Sequence, residues 1–283
     1  MKVTPSQQNN IQLALDIRRG RWLVSDAEAL LPTALDLLAR IPPTPKAIDF
    51  KATSYSESGL ISVESKQAKR VAVIPIHGTL TKYSSCGTIG ATTVASEILY
   101  RANDENVVGI ILDIDSGGGA CNAIPTLIEA IRKVQAMGKP IVAHCDLCAS
   151  AAYWIASQCD AIFADNKMSN IGSIGVMVQF IDDTNSTRGE RVVSVYADES
   201  PDKNLSYRKA LEGNYSLLKA EMSPIVDEFH SAVKAGRRNL KADADGVLTG
   251  AMFLAEAARN IGLIDNILTL DETVENVFIR AEF

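Results

Sequence analysis

A serine lies where the sequence changes from a strand pattern to an apolar helix pattern. Ser150 is flanked only by small residues, in the run Ala149 to Ala152. Small neighbours let another backbone approach closely, and the unpaired N–H groups at a helix start can face an anion. Acyl transfer needs this arrangement of a hydroxyl nucleophile beside donors for a developing oxyanion. A plain helix N-cap is the alternative role for Ser150.

A glycine run is the second stretch that could take part in catalysis. Asp115-Ser116-Gly117-Gly118-Gly119 follows the apolar run Val107 to Ile114. Ligands of α/β proteins bind at the carboxyl ends of strands, and glycines there let backbone N–H groups face a ligand. Neither a P-loop nor a dinucleotide fingerprint fits, because no Gly-Lys-Ser/Thr follows and residue 122 is asparagine. A flexible turn remains the alternative.

The elements around these stretches predict an α/β domain. Three short apolar runs predict strands, and two amphipathic segments between them predict helices. The predicted strands are Val71 to Ile76, Val107 to Ile114 and a third that begins at Ile141; the predicted helices are Thr92 to Asn103 and Ala123 to Met137. Near-continuous apolar strands that alternate with helices indicate a mostly parallel sheet flanked by helices.

The N-terminal part has a different pattern. Helical periodicity runs from Ile11 to Ala39, and three prolines open the segment from Ile41 to Lys69. We therefore predict an N-terminal helical arm and linker over residues 1–65 and the main domain over residues 66–283. The start has no apolar signal-peptide core, and no run is long enough to span a membrane, so we expect a cytoplasmic protein.

Composition narrows the classes of ligand. The 283 residues carry a net charge of −6 without a dense block of Lys and Arg, which makes nucleic acid a poor candidate partner. Cys145 and Cys148 form a single C-x-x-C without a second pair of cysteines or histidines at ligand spacing. No metal site is predicted, and the cysteines are expected to be reduced thiols.

Four motifs in order resemble the S49 peptidases, the family of signal peptide peptidase A and the phage proteases. The run from Val71 to Gly78 is similar to the first core strand of that family. Asp113 to Gly119 resembles its D-S-P-G-G loop, and Ala149 to Trp154 resembles A-S-G-G-Y-Y around the nucleophile. Gly172 to Val176 matches the G-S-I-G-V element. The resemblance extends over roughly residues 70–276, and it includes Arg237 and the stretch that ends at Asp265.

The resemblance implies a ClpP/crotonase-like fold and a set of site residues. Ser150 is the implied nucleophile, and the backbone N–H groups of Gly118 and Ala151 are the implied oxyanion hole. Lys203 is the implied general base, and Ser173 is the implied helper that orients the lysine amine. A lysine acts as a base only when it is neutral, so burial must disfavour its ammonium form.

Two alternatives for the base stay open. Lys209 is close to Lys203 in the sequence and could replace it. A Ser-His-Asp triad is the other alternative, and its candidates are His77, His144 and His230. No G-x-S-x-G elbow accompanies them, which disfavours a histidine-based mechanism.

The predicted function is therefore that of a serine endopeptidase with a Ser–Lys dyad and no metal or organic cofactor. Its expected substrates are proteins or peptides, such as phage capsid or scaffold proteins during prohead maturation, in the host cytoplasm or in the prohead. The fold and family imply a homo-oligomer. The alternatives are a cytoplasmic peptide-degrading relative of signal peptide peptidase A, a crotonase-like acyl-CoA enzyme and a non-catalytic scaffold protein.

Overall fold

The computed structural model of the chain describes residues 48–51, 69–84, 89–178 and 196–282. The helices predicted between Ile11 and Ala39 lie outside the described residues. The chain divides into two units, each described by itself: one runs to Ile174 and resumes at Ala232, and the other is Gly175–Ser231.

A mostly parallel sheet forms the centre of the first unit. Among the described residues its order is β1-β2-β3-β4-β5-β8, with β6 paired to β4 and β7 paired to β6. Only the β1–β2 and β6–β7 pairs are antiparallel. The strands are β1 (Ile48–Lys51), β2 (Arg70–His77), β3 (Val107–Ser116), β4 (Ile141–Ala149), β5 (Ala161–Ala164), β6 (Asn170–Gly172), β7 (Met252–Leu254) and β8 (Asn266–Ile267).

Helices cover both faces of this sheet, because its central strands are apolar on both sides. The helices of the first unit are α1 (Ala91–Ala102), α2 (Ile124–Ala136), α3 (Ala151–Ala156), α6 (Ala255–Asn260) and α7 (Leu270–Ala281). On one face, Val73, Ile111 and Val142 pack against Val274 and Val277 of α7. The alternate residues, such as Ile74 and Leu112, are buried on the opposite face, where α1 and α2 pack.

The second unit is helical in its described part. It contains α4 (Leu205–Leu211) and most of α5 (Ser216–Gly236). The apolar pattern from Leu205 to Lys234 predicts one helix with Gly213 inside it. The helix is instead interrupted, because Gly213 adopts a φ of +81°, in the left-handed region that ends helices.

The structure confirms the predicted class, an α/β fold with a mostly parallel sheet flanked by helices. Gly138 follows α2 with a φ of +74°, as expected for a C-terminal glycine. Two local predictions differ from the structure. Residues Ile48–Lys51, in the predicted linker, form an edge strand on β2. The sequence pattern from Ala251 to Asn260 predicts one helix, but the helix begins only at Ala255, since Met252–Leu254 pair with β6.

Candidate active site

Ser150 occupies a sharp turn between β4 and α3. Its φ of 53° and ψ of −123° belong to a turn conformation that normally selects glycine, and a serine there costs roughly 1–3 kcal/mol. The turn is held by two hydrogen bonds. The Ser150 N–H donates to Gly172 O at 2.9 Å, and the Trp154 N–H donates to Ser150 O at 3.0 Å. The predicted strand-to-helix junction is thus present, and its backbone is strained.

The small residues around Ser150 permit close packing with the glycine loop, residues 115–119. Ala149 and Ala151 are buried, whereas Ser150 is partly exposed. A Cβ atom on Gly118 would lie 2.8 Å from Ala149 O, 2.9 Å from Ser150 Cβ and 3.0 Å from the Ala151 amide nitrogen. Gly118 also has a φ of +96°. The structure therefore brings three of the predicted site residues together, and it leaves no room for a side chain at position 118.

The hydrogen bonds of the glycine loop show which N–H groups are occupied. The Gly118 N–H donates to Ser116 Oγ at 3.1 Å, and Gly118 O accepts from the Leu80 N–H at 2.9 Å. The Ala120 N–H donates to Leu80 O at 2.9 Å. Gly119 lies between these two bonds, so its own N–H is directed away from Leu80. Within the described residues this N–H has no hydrogen-bond partner.

Ser173 leaves the strand that neighbours the Ser150 turn. Gly172 of β6 pairs with Ala149 of β4, so the next residues, Ser173 and Ser150, follow neighbouring strand ends. Ser173 has a φ of 53°, and its N–H donates to Ala251 O at 2.8 Å. Within the described residues only Ser150, Ser173 and Asn204 combine a side chain with a positive φ. Such strain collects at functional sites, and Asn204 directly follows Lys203.

Lys203 belongs to the second unit, so its pairing with Ser150 stays a prediction. Its side chain is exposed, as are those of residues 201, 202 and 204. Its backbone N–H donates to Ser200 O at 3.2 Å, within a short turn before α4. Lys209 lies on α4, and its Nζ is 2.7 Å from Glu212 Oε2. This contact ties the Lys209 amine to Glu212 at the end of its own helix, which favours Lys203 over Lys209 as the base.

A histidine–aspartate cluster lies on the sheet face that α7 covers. Asp113 Oδ1 is 3.3 Å from His144 Nδ1, and Asp113 Oδ2 is 3.1 Å from His77 Nε2. His144 Nε2 lies 3.2 Å from Leu268 O and 3.4 Å from Asp165 Oδ1. Burial alone would raise the pKa of Asp113, but the hydrogen bonds with His144 and His77 outweigh it and hold this pKa well below its usual range.

This cluster argues against a histidine as the base. Both ring nitrogens of buried His144 face acceptors on the α7 side, so the side chain is engaged in the structure of the sheet. His77 is bonded to the same carboxylate. The cluster was not predicted from the sequence, although polar residues at alternate positions near the ends of β2, β3 and β4 are a signal for it.

Residues of the C-terminal part of the first unit form hydrogen bonds with α3 and with β5, which follows it. The side chain of Arg237 is 7% exposed and binds Asp265 through two hydrogen bonds of 2.8 and 3.0 Å. Asp265 Oδ2 also accepts from the Ile162 N–H at 2.7 Å. Tyr153 of α3 donates its phenol hydrogen to Leu263 O at 2.9 Å, and burial raises the pKa of this phenol. These bonds fix the helix that follows Ser150.

The described residues offer neither a cluster of metal ligands nor a membrane-spanning helix. Over the described ranges, no group of three or more His, Cys, Asp or Glu side chains is arranged to hold a metal ion. None of the helices in the described part of the chain is both long enough and apolar enough to cross a membrane.

Comparison with known proteins identifies relatives of this chain. The model of peptidase family S49 matches residues 133–282. Protease 4 of Haemophilus influenzae is 28% identical over 72% of this chain and 34% of its own length. The Head-tail preconnector protein GP5 of Enterobacteria phage P21 is 26% identical over 72% of this chain and 42% of its own length. The chain thus spans about a third of the length of Protease 4.

A solved structure is also similar to this chain. The 1510-N membrane-bound stomatin-specific protease is 14% identical, and the match covers 72% of this chain and 82% of that protein, with a TM-score of 0.48.

Proposed function

The chain belongs to peptidase family S49, and we propose on this premise that it is a serine endopeptidase whose nucleophile is Ser150. The observation that carries the proposal is the strained turn at Ser150, with buried alanines on both sides and the glycine loop packed against it. A merely capping serine would not need a φ of 53°, because N-cap residues normally have extended backbone.

The chemistry follows from the positions of the groups. Ser150 Oγ attacks the scissile carbonyl carbon while the base takes its proton, and the carbonyl oxygen becomes an oxyanion. Collapse of this intermediate expels the amine, which receives the proton from the protonated base. Water then attacks the acyl-enzyme and passes a proton to the base. The bond between the acyl carbon and Ser150 Oγ breaks, the protonated base returns its proton to Oγ, and the acid product leaves.

The oxyanion hole combines two backbone donors. The Ala151 N–H is the first of α3, so it has no acceptor within the helix. The second donor comes from the glycine loop. The sequence pointed to Gly118, but its N–H is already donated to Ser116 Oγ, whereas the Gly119 N–H has no partner among the described residues. Gly119 is therefore the better candidate in this conformation.

Lys203 is proposed as the base, with Ser173 as the hydroxyl that orients its amine. Two observations support these roles. Ser173 lies at the strand end beside the Ser150 turn, and Lys203 precedes Asn204, which has a φ of 57°. Because the Lys203 side chain is exposed in its own unit, the working site requires it to lose water contact when substrate is bound.

Processing of phage capsid or scaffold proteins is the proposed task. It is supported by the similarity to the preconnector protein of phage P21. The similarity to Protease 4 supports the alternative of a peptide-degrading enzyme. A homo-oligomer is proposed for either task. The crotonase-like alternative shares an oxyanion loop of glycines but has no need for a serine nucleophile at position 150.

Hydrolysis of casein and of an acyl-CoA thioester separates the classes. We expect the wild type to cleave casein at a few sites, visible as discrete bands, and to leave the thioester intact. Ser150→Ala is expected to be folded and inactive. The matched control, Ser157→Ala, removes a buried hydroxyl at the far end of α3 and is expected to stay active. Casein cleavage by folded Ser150→Ala, or thioester turnover, contradicts the proposal; exclusive turnover of short peptides favours the degrading alternative.

A further inference from the structure

Ser116 has a buried hydroxyl that takes no part in the chemical steps proposed above. It is the last residue of β3 and is 1% exposed. Its Oγ donates to Gly78 O at 2.5 Å and accepts from the Gly118 N–H at 3.1 Å. The single hydroxyl therefore links the end of β2 with the glycine loop, at the point where β3 ends.

These two bonds determine the course of the loop. The Gly78 N–H donates to Asp115 O at 2.9 Å, so Gly78 is held through both its N–H and its carbonyl. Beyond it, Leu80 exchanges two 2.9 Å bonds with Gly118 and Ala120. The loop consequently runs along residues 78–80 on one side and packs against the Ser150 turn on the other. A serine hydroxyl that binds the N–H two residues later stabilises such a turn.

The position of the oxyanion donor depends on this turn. Ser116 Oγ accepts a hydrogen bond from the Gly118 N–H, so this N–H is not free for the substrate, whereas the Gly119 N–H makes no bond to Leu80 or Ser116 within the described residues and can serve as a donor. Gly118 has a φ of +96°, and the Ser116 bond holds it in that conformation against Ala151. Without the hydroxyl, the peptide between Gly117 and Gly118 has no side chain to fix it, and glycines move freely between conformations.

We propose that Ser116 is a positioning residue for the oxyanion loop of this enzyme. Its hydroxyl does not touch the substrate; it sets the loop conformation in which the backbone donors of Gly119 and Ala151 face the same oxygen. The inference rests on the proposed peptidase function. A displacement of about 1 Å in a catalytic group, or the loss of one oxyanion donor, lowers kcat by about a hundredfold.

The test is a comparison of Ser116→Ala with Ser116→Thr, which keeps the hydroxyl. The substrate is a quenched fluorescent peptide built on a casein site that the wild type cleaves, and the probe is the boronic acid of the same peptide. We expect Ser116→Ala to lose roughly 10- to 100-fold in kcat with KM within about twofold. Its affinity for the boronic acid should fall by the same factor, because the boronate oxygen occupies the oxyanion hole. Ser116→Thr should recover most of both losses.

The matched control is Ser157→Ala. Ser157 is also fully buried, donates to Trp154 O at 2.6 Å and accepts from Gln158 Nε2 at 2.9 Å. It should lower the melting temperature without lowering boronic acid affinity. Equal losses in the two alanine variants, an unchanged kcat in Ser116→Ala, or a gain in kcat overturns the positioning role.

Two further outcomes are decisive. If Ser116→Thr does not fold, Ser116→Cys is used in its place. A folded Ser116→Thr or Ser116→Cys whose kcat and boronic acid affinity are no higher than those of Ser116→Ala overturns the proposal. All ratios refer to a wild type that Ser150→Ala inactivates. A wild type without activity therefore rejects the peptidase function itself, whereas an active wild type with unaffected Ser116 variants rejects only the role of Ser116.

Discussion

The Ser150 turn and the Lys203 segment are built in opposite ways. Ser150 lies between buried residues, and hydrogen bonds from neighbouring elements hold its strained backbone. Lys203 lies in an exposed turn, and its backbone N–H bonds only locally, to Ser200. The first unit therefore determines the geometry of the nucleophile completely. The segment of the proposed base, residues 201–204, is exposed and does not bury the lysine side chain.

The largest expected effect tests whether this exposed segment contributes to catalysis. Lys203→Met keeps a long side chain but removes the base, so we expect a loss of casein cleavage nearly as large as in Ser150→Ala, at least about 10³-fold, since a dyad acts as a unit. Lys209→Met should stay active, because Lys209 is paired with Glu212. The measurement is kcat/KM for the casein-derived peptide.

The opposite result would place the base elsewhere. An active Lys203→Met beside an inactive Lys209→Met moves the role to Lys209. Two active lysine variants with an inactive His144→Ala would restore the histidine mechanism, provided that the histidine variant is folded.

A smaller effect concerns stability and sharpens the contrast in backbone strain. Both regions contain a residue with positive φ, Ser150 at 53° and Asn204 at 57°. Glycine relieves strain at the Ser150 conformation, so Ser150→Gly should be about 1 kcal/mol more stable than Ser150→Ala. Asn204→Gly should change the free energy of unfolding by less than about 0.5 kcal/mol, because asparagine tolerates the left-handed region. Urea denaturation measures both; equal stability of the two Ser150 variants would show that the turn is unstrained.

A further effect on stability, which depends on pH, concerns Asp113 of the first unit alone. The folded pKa of Asp113 lies below its unfolded value of about 3.9, so its ionised form stabilises the fold above that value, and the stabilisation is lost as the pH falls further. Asp113→Asn should lower the free energy of unfolding by about 1–2 kcal/mol at pH 7. The difference from the wild type should shrink below about pH 4. A difference that stays constant with pH would mean that the charge of Asp113 is irrelevant to the fold.

The contrast also explains what the sequence could predict. Apolar runs and the glycines that bound them were sufficient to predict the central strands, α2 and the Ser150 junction, because each of these follows from the local sequence pattern. The edge strand β1 was missed, since Ile48–Lys51 pairs only through its backbone with residues some 20 positions away. The occupied N–H of Gly118 was not predictable either, because a loop of three glycines allows many conformations, and its bonds to Ser116 and Leu80 are not visible in the sequence. The roles of Lys203 and Ser173 came from family motifs, which identify residues but not their surroundings.

The most direct test of Ser150 as the nucleophile is labelling with a fluorophosphonate. The folded protein is treated with the probe, digested and analysed by mass spectrometry. We expect one adduct, on Ser150, that is absent from the heat-denatured protein and from Ser150→Ala. An adduct on a different serine, or no adduct on a preparation that cleaves casein, would contradict the assignment of Ser150.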